Sequence, residues 1–209
     1  ANHNLNVVIT GGDGDGYGIG LGHFVHAMRR NLDLTYIVMN NQIYGLTTGQ
    51  ASPTTMKEVQ TKSTPRGNVE TPINPLALAI VSGATYVSRA FSGDPKHMAD
   101  TIAGGIAHKG FALIDVFSPC VTYNKINTYP WFRKRVYKLE ESSEYDPTNF
   151  QEALNRAYEW GDRIPLGLVY KDEQPTYEES EPALQEEPLA HQKLGLNEEL
   201  FDSLVEEFV

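Results

Sequence analysis

Residues 11–45 read GGDGDGYGIGLGHFVHAMRRNLDLTYIVMNNQIYG. The apolar run at 5–10 before them predicts a buried strand, residues 23–31 predict a helix, and residues 34–39 predict a second buried strand. This order is typical of a βαβ unit, whose parallel strands end at the same edge of a sheet. Because open α/β sheets bind their ligands at that edge, we expect a site between the glycine-rich turn and the polar pair at 40–41.

The glycine-rich turn also carries acidic side chains. Backbone N–H groups near a helix N-terminus form a cradle for anions, yet Asp13 and Asp15 lie within this turn and would repel a phosphate. A divalent cation resolves the conflict, because Mg²⁺ takes oxygen ligands and shares them with phosphates. Asp13 offers a carboxylate, Asn41 an amide oxygen and Ile43 a backbone carbonyl. The pattern therefore predicts a diphosphate bridged to the protein by Mg²⁺.

A spacing motif points to the same chemistry. Gly12-Asp13-Gly14 is followed, after 25 intervening residues, by Asn40-Asn41, which is similar to the thiamine diphosphate motif. The wider sequence resembles the β subunit of the 2-oxoacid:ferredoxin oxidoreductases in four ordered blocks, over about residues 5–170. Those blocks are GDGDGYGIGLGHFVHAMRRN, NNQIYGLTTGQASPT, ALIDVFSPCVTYN and KRVYKLE. The cofactor-binding residues predicted from the motif and the resemblance are Gly12, Asp13, Gly14, Asp15, Gly16, Asn41, Ile43 and Gly45.

The resemblance implies a fold, a reaction and partners. We expect an α/β chain with a doubly wound, mostly parallel sheet, divided into a thiamine diphosphate- and Mg²⁺-binding domain at 1–170 and an acidic tail at 171–209. The implied reaction is the coenzyme A-dependent oxidative decarboxylation of a 2-oxoacid, with electrons passed through an iron–sulfur cluster to ferredoxin. An α subunit is expected to supply the glutamate that activates the cofactor. The enzyme would then act only as a heterodimer or a dimer of heterodimers.

A substrate-side loop is also assigned by the resemblance. The long polar segment 44–71 is expected to be a functional loop. Its residues Leu46, Thr47 and Thr48 are candidate substrate-side residues in the catalytic site. Some members of the family carry a basic residue at the position of Thr48, so the threonine leaves the identity of the 2-oxoacid open. Ordinary turn chemistry is the alternative explanation for the threonines.

Cys120 is the chain's single cysteine and follows a predicted strand in the sequence SPCVTYN. The resemblance implies that it is one ligand of a 4Fe-4S cluster whose other three ligands lie in an N-terminal segment. Since such a cluster needs four ligands, we expect this chain to be a fragment; the alternative is that another polypeptide supplies the rest. Without the resemblance, a lone cysteine would be interpreted as a small buried hydrophobe.

Composition narrows the remaining classes of function. The net charge of −10 lies entirely in the tail, because residues 1–170 carry 15 acidic and 15 basic side chains. We therefore expect no nucleic-acid binding, and no apolar run approaches the ~20 residues of a membrane span. One cysteine suits a cytoplasmic protein. No G-x-G-x-x-G or G-K-[ST] frame supports a dinucleotide site or a P-loop. Another thiamine diphosphate-dependent decarboxylase or synthase subunit, or a non-catalytic electron-relay module, remains an alternative.

The rest of the chain alternates strands with helices. A capping residue followed by proline predicts helix starts at 74–75 and 94–95, and the pair Pro147-Thr148 is expected to cap a third helix. Buried strands are predicted at 86–91 and 111–117, and an edge-like strand at 164–170, while 124–139 is expected to be extended and mixed. The tail is expected to be disordered or to lie along the surface. It ends in an amphipathic helix from residue 196, whose apolar face we predict to be a docking element.

Overall fold

The structure is a computed structural model that describes residues 2–142, 144–185, 187–192, 195 and 198–207. Its strands are β1 (Val8–Gly12), β2 (Leu34–Asn40), β3 (Tyr86–Phe91), β4 (Phe111–Phe117), β5 (Val136–Lys138) and β6 (Ile164–Lys171). Its α-helices are α1 (Leu21–Arg29), α2 (Pro75–Val81), α3 (Pro95–Ala107), α4 (Tyr129–Arg133), α5 (Phe150–Tyr158), α6 (Tyr177–Ser180) and α7 (Glu198–Glu206). A π-helical turn at Asp15–Ile19 joins β1 to α1.

The six strands form one sheet in the order β1-β2-β4-β3-β6-β5. All neighbouring pairs are parallel except β3 with β6, so the predicted mostly parallel sheet is confirmed. Helices α1, α2 and α5 pack on one face and α3 on the other, which makes the sheet doubly wound. Because β1, β2 and β4 run in parallel, their carboxyl ends meet at one edge, where the candidate site lies.

Two strand predictions need correction. Strand β6 is not edge-like: it is largely buried between β3 and β5, and the edge is the three-residue β5 within the stretch expected to be mixed. Strand β1 is not buried either, since Val8 and Ile9 are 44% and 43% exposed. Its apolar sequence resembles that of a central strand, but among the described strands only β2 pairs with it. Sequence periodicity reports hydrophobicity and carries no information about a strand's place in the order.

The predicted helix starts hold at two of three positions. The side chain of Asn74 accepts a hydrogen bond from the N–H of Ala77 and caps α2. Asp94 caps α3 in the same way. The third helix, α5, is capped by Asn149 rather than by the Pro147-Thr148 pair, because the Asn149 side chain reaches the first free N–H groups of the helix.

The first part of the acidic tail lies along the body of the protein. Asn31 donates from Nδ2 to the carbonyls of Gln174 and Pro175, and the buried Thr176 forms a capping box with Glu179. Helix α7 forms as expected, yet Phe201 on it is 55% exposed, so the described residues leave more than half of Phe201 uncovered. The predicted apolar positions 196 and 208 lie outside the described residues. Among the described residues, no helix is long and apolar enough to cross a membrane.

Candidate diphosphate and metal site

Asp13 is the centre of the site. It follows β1 directly and is only 2% exposed. Ser52 Oγ and Thr54 Oγ1 each donate a hydrogen bond of 2.6 Å to its Oδ2 atom, and the backbone N–H of Asn41 acts on the carboxylate from the end of β2. Burial raises the pKa of Asp13, and these three donors oppose that rise because they stabilise the charged form. The carboxylate is thus desolvated and held in one orientation, as a metal ligand requires.

The sequence interpretation did not assign roles to Ser52 and Thr54. Both come from the long loop at 44–71, and both are buried although the loop is polar. Thr55 fixes their position locally, since its hydroxyl donates to the carbonyl of Gln42 and accepts a hydrogen bond from the N–H of Ser52. The signal was present in the ASPT end of the second family-like block. It could not be interpreted without knowing that this loop folds back onto the end of β1.

Asn41 and Ile43 lie next to Asp13 at the end of β2. The Asn41 side-chain oxygen accepts a hydrogen bond of 2.9 Å from the N–H of Ile43, which is an Asx turn. Asn124 Nδ2 donates to the Asn41 carbonyl, and Gln42 between the two residues has a positive φ of 58°. The turn fixes the orientation of the Asn41 amide at the sheet edge that carries Asp13. The structure therefore brings Asp13 and Asn41 together as expected, with Ile43 on the same turn.

The donor set fits a hard cation. Within the part of the chain that the structure describes, no cluster of three or more His, Cys, Asp or Glu side chains could hold a metal. Any metal at Asp13 must therefore complete its coordination with amide, carbonyl, ligand or water oxygens. Mg²⁺ accepts this kind of set, with one or two carboxylates and shared phosphate oxygens, whereas structural zinc sites use cysteine and histidine.

The glycines of the turn have two different roles. A methyl group at Gly14 would overlap the ring of Tyr44, whose hydroxyl donates to the Gly14 carbonyl at 3.1 Å. Gly16 is required in the same way by the hydroxyl of Tyr36. At Gly12, by contrast, no described heavy atom lies within 4 Å of the place where a Cβ would stand. Aromatic packing therefore explains Gly14 and Gly16, and Gly12 is the position where bare backbone is open to a ligand.

Asp15 differs from Asp13. The sequence interpretation placed both aspartates inside the anion cradle, but Asp15 begins the π-helical turn and is exposed. Its carboxylate is solvated and needs no countercharge, so only its backbone remains a candidate for contact with a diphosphate. Gly45 lies in the loop after β2, where its carbonyl accepts the N–H of Thr48 at 3.1 Å in a tight turn.

The predicted substrate-side loop projects from the sheet edge. Leu46 is 99% exposed, and Thr47 and Thr48 are also exposed. Thr48 has a φ of 74°, a left-handed conformation that is strained for a β-branched residue and that occurs preferentially at functional sites. The ammonium group of Lys62 donates a hydrogen bond of 2.7 Å to Thr48 Oγ1. A cation therefore lies beside Thr48 although the sequence places no basic residue at that position.

Cys120 lies at the same edge of the sheet, just after β4. Its sulfur is partly buried and accepts a hydrogen bond of 3.4 Å from the N–H of Tyr123. Partial burial raises the pKa of the thiol, but the backbone N–H groups of Tyr123, Thr122 and Asn124 outweigh it and lower the pKa overall. Backbone donors of this kind stabilise a thiolate, the form that binds metal.

A buried polar network lies behind the candidate site and was not predicted from the sequence. Asp115 of β4 accepts hydrogen bonds at Oδ1 from Asn40 Nδ2 (2.9 Å) and from the hydroxyl of Tyr17 (3.0 Å). Arg89 of β3 faces its other oxygen at 3.5 Å. Burial raises the pKa of Asp115, and Arg89 and the two donors oppose that rise because they stabilise the carboxylate.

The network is connected to Asp13. The hydroxyl of Thr54, which donates to Asp13, also lies 3.0 Å from Asn40 Oδ1. Asp115 gave no sequence signal, since it lies within the apolar strand FALIDVF. The two buried carboxylates are therefore joined through one amide and one hydroxyl group.

Comparison with known families divides the chain into two matched regions. Residues 1–116 match the model of the thiamine pyrophosphate enzyme, C-terminal TPP binding domain. Residues 120–186 match the model of the C terminal of the pyruvate ferredoxin oxidoreductase beta subunit. The first match contains Asp13, Asn41 and the hydroxyl donors, and the second begins at Cys120.

Individual relatives agree with the family models. A 2-oxoacid:ferredoxin oxidoreductase subunit beta from Saccharolobus solfataricus is 49% identical over 91% of this chain and 67% of its own length. The corresponding subunit from a Sulfolobus species is 47% identical over 86% of this chain and 62% of its own length. A solved 2-oxoglutarate:ferredoxin oxidoreductase from Magnetococcus marinus, with 2-oxoglutarate, coenzyme A and succinyl-CoA bound, superimposes with a TM-score of 0.86 at 40% identity.

The same comparison covers 96% of this chain and 67% of the Magnetococcus chain, so this chain spans about two thirds of the length of these proteins. The two family models together match the residues of the sheet and of the candidate site. This chain belongs to the β-subunit family of the 2-oxoacid:ferredoxin oxidoreductases, a family of oxidoreductase enzyme subunits with a thiamine diphosphate-binding fold.

Proposed function

We propose that this chain holds the diphosphate of thiamine diphosphate through Mg²⁺ in the coenzyme A-dependent oxidative decarboxylation of a 2-oxoacid. The observation that carries the proposal is the buried Asp13 carboxylate, held by the hydroxyl groups of Ser52 and Thr54 at the carboxyl ends of two parallel strands. A desolvated carboxylate in a neutral hydrogen-bonding environment is costly without a countercharge. A divalent cation at this position supplies that charge and binds a diphosphate at the same time.

Specific residues of the chain would hold each part of the group. The carboxylate of Asp13, the side-chain oxygen of Asn41 and the carbonyl of Ile43 would bind Mg²⁺. When bound, thiamine diphosphate supplies the nucleophilic carbon and the electron sink of the reaction. The chain itself contributes position: two hydroxyl groups orient Asp13, and the Asx turn orients Asn41. The diphosphate would lie against the backbone of the glycine-rich turn and the loop after β2, at Gly12, Gly14, Asp15, Gly16 and Gly45.

The surroundings of the site support a partner subunit. Large apolar side chains on the site's own loops are exposed in this chain, including Ile19 (93%), Leu46 and Val121. Exposed apolar groups around a polar site are characteristic of protein–protein contacts. We propose that this edge is covered by an α subunit, which completes the active site, in a heterodimer or a dimer of heterodimers. In this proposal residues 1–170 form the cofactor domain and 171–209 the tail, and the enzyme is cytoplasmic.

Electron transfer would begin close to the cofactor. Cys120 follows β4, and Asn124 from the same segment donates to the carbonyl of Asn41. We propose that Cys120 is one ligand of a 4Fe-4S cluster that passes electrons to ferredoxin. Its lowered pKa favours the thiolate that such a cluster needs.

The loop suggests the class of 2-oxoacid. Lys62 places an ammonium group on the hydroxyl of Thr48, and its backbone N–H is anchored to the carbonyl of Gly49 at 2.9 Å. If Thr48 faces the substrate, Lys62 can pair with a second carboxylate at the distal end of the molecule. We therefore propose a dicarboxylic 2-oxoacid, such as the 2-oxoglutarate bound in the Magnetococcus relative, as the preferred substrate.

Steady-state turnover of the complete complex tests this function. The full-length protein would be co-expressed with its α subunit, and pyruvate, 2-oxoglutarate and a branched-chain 2-oxoacid compared at one concentration of a single electron acceptor. We expect acyl-CoA formation that requires both coenzyme A and thiamine diphosphate, with the highest kcat/KM for 2-oxoglutarate. Decarboxylation without coenzyme A or an electron acceptor would indicate a different thiamine enzyme. No turnover by a complex that contains cofactor and iron would contradict the proposal.

A further inference from the structure

Asp115 and Arg89 form a buried ion pair in which Arg89 also lies over the ring of Phe117, 4.9 Å from its centroid. The two residues are paired in register on β4 and β3, and their side chains are 0% and 3% exposed. Their closest approach, Arg89 Nε to Asp115 Oδ2, is 3.5 Å, which is longer than a good charge-assisted hydrogen bond. Apolar residues of similar volume are often at least as stabilising as a buried ion pair. The pair therefore calls for a role other than stability.

The first contact leads from Asp115 toward the metal site. Asn40 ends β2, beside the candidate ligand Asn41, and donates from Nδ2 to Asp115 Oδ1. Asp115 Oδ1 is the acceptor in this contact and also accepts from the hydroxyl of Tyr17, so the Asn40 amide must present its nitrogen, which is its only donor. Asp115 therefore fixes the orientation of the Asn40 amide, with its nitrogen toward Asp115 and its oxygen toward Thr54.

The second contact reaches Asp13. The Thr54 hydroxyl carries one proton and faces two acceptors, Asp13 Oδ2 at 2.6 Å and Asn40 Oδ1 at 3.0 Å. The shorter, charge-assisted bond to Asp13 takes the proton while that carboxylate bears its full charge. When a cation shares that charge, Asn40 Oδ1 offers the same hydroxyl another acceptor. If the Asn40 amide were reversed, its nitrogen would face Thr54 and this acceptor would be lost.

We propose that Asp115 is a positioning residue for the metal ligand Asp13, and that it acts through Asn40 and Thr54. The inference rests on the proposed function, since it takes Asp13 as a ligand of Mg²⁺. Asp115 contacts neither the metal nor the substrate. It sets the orientation of Asn40, whose Oδ1 then faces Thr54 and accepts the hydroxyl proton when a cation shares the charge of Asp13. Partners that orient metal ligands in this way commonly change metal affinity 10- to 100-fold when they are removed.

A cavity beside the network provides space for substituted side chains. Asp115, Arg89, Asn40 and Thr54 line a cavity of about 290 Å³ between the sheet and the C-terminal end of α5. Arg89 Nη1 has no hydrogen-bond partner among the described residues, and ordered water is the usual partner for a group in such a place. Apolar side chains at positions 89 and 115 would therefore not force the core to expand.

The test replaces both charges together, because removing Asp115 alone would leave a buried unpaired cation. Arg89→Met/Asp115→Leu would be made in the full-length protein of the assembled complex. Thiamine diphosphate would be titrated at several Mg²⁺ concentrations by calorimetry, and the melting temperature measured without cofactor. We expect the apparent affinity for Mg²⁺ to fall 10- to 100-fold with no decrease in melting temperature. Arg89→Met/Asp115→Asn, which restores an acceptor for Asn40, should recover most of the affinity.

The experiment includes a control ion pair outside the site and a second pair of variants at Thr54. Lys171→Met/Glu173→Gln removes an exposed ion pair outside the site and should bind as the wild type does. If the buried variants do not fold, Thr54→Val should lose affinity and Thr54→Ser should retain it. Wild-type affinity in Arg89→Met/Asp115→Leu, or in Thr54→Val, would overturn the inference. If Asp13→Ala also kept wild-type affinity, the proposed metal site itself would be wrong.

Discussion

A substitution at Gly12 can distinguish a turn that binds a diphosphate from a turn that has only a structural role. No described heavy atom lies within 4 Å of the Cβ that Gly12→Ala would add, and the residue ends β1 without a positive φ. The substitution is therefore free of steric conflict in the protein alone. A diphosphate against the Gly12 backbone would meet the new methyl group directly, so the substitution should affect binding and leave folding intact.

Gly12→Ala should raise the stability of the folded protein and lower its affinity for thiamine diphosphate. Alanine in place of glycine in a strand stabilises the folded protein by roughly 0.5–1 kcal/mol, because the unfolded chain loses freedom. Overpacking by one methyl group in a rigid contact costs about 1–3 kcal/mol. Since about 1.4 kcal/mol is a factor of ten in affinity, the apparent affinity for thiamine diphosphate should fall by roughly 5- to 150-fold.

Calorimetric titration of thiamine diphosphate into the assembled, Mg²⁺-loaded complex measures the affinity, and thermal unfolding of the cofactor-free complex measures the stability. Gly22→Ala is the matched control, because its added methyl group also meets no described atom within 4 Å, but on α1. This control should raise stability by up to about 1 kcal/mol and leave affinity unchanged. Equal affinities for Gly12→Ala and the wild type would refute the assignment of Gly12 to the diphosphate cradle.

Three further predictions concern the loop, the cysteine and the tail. Lys62→Met should lower kcat/KM for 2-oxoglutarate about tenfold or more relative to pyruvate, because a distal carboxylate loses its cation. Lys57→Met is the control and should leave the ratio of the two kcat/KM values unchanged. An unchanged ratio in Lys62→Met would show that Lys62 does not recognise the substrate. Cys120→Ser should reduce iron content and retain thiamine diphosphate. In cluster-free protein, alkylation of Cys120 should reach half its maximal rate at a lower pH than that of a cysteine in an unstructured peptide, because the lowered pKa gives thiolate at lower pH. Deleting residues 195–209 should loosen subunit association, since apolar side chains of α7 are exposed; unprotected amides there in the intact complex would contradict this.

The parts of the site that were predictable are those encoded by the ends of strands. Asp13 and Asn41 each follow an apolar run, and parallel strands must bring such residues to one edge. Both residues were therefore expected together, and the structure places them after the adjacent ends of β1 and β2, where Gly12 pairs with Met39. The mostly parallel order followed from the alternation of strands and helices for the same reason.

The parts that were missed depend on contacts between distant segments. Ser52 and Thr54 contact Asp13 because a polar loop folds back onto the end of β1. The local sequence of the loop does not predict where it folds. Asp115 is one polar residue in a run of apolar ones. The hydrophobic pattern therefore predicts a buried strand but does not predict the hydrogen-bond network of Asp115. The antiparallel pairing of β6 with β3 is likewise a choice made by tertiary packing, with a sequence typical of either direction.

Whether Mg²⁺ at Asp13 holds the diphosphate can be measured by titrating thiamine diphosphate into the assembled complex, with and without Mg²⁺, for the wild type and for Asp13→Ala. We expect tight, Mg²⁺-dependent binding to the wild type and no Mg²⁺-dependent binding to the variant, while both cofactor-free complexes unfold at similar temperatures. Wild-type affinity in Asp13→Ala, or binding to the wild type that ignores Mg²⁺, would contradict this expectation.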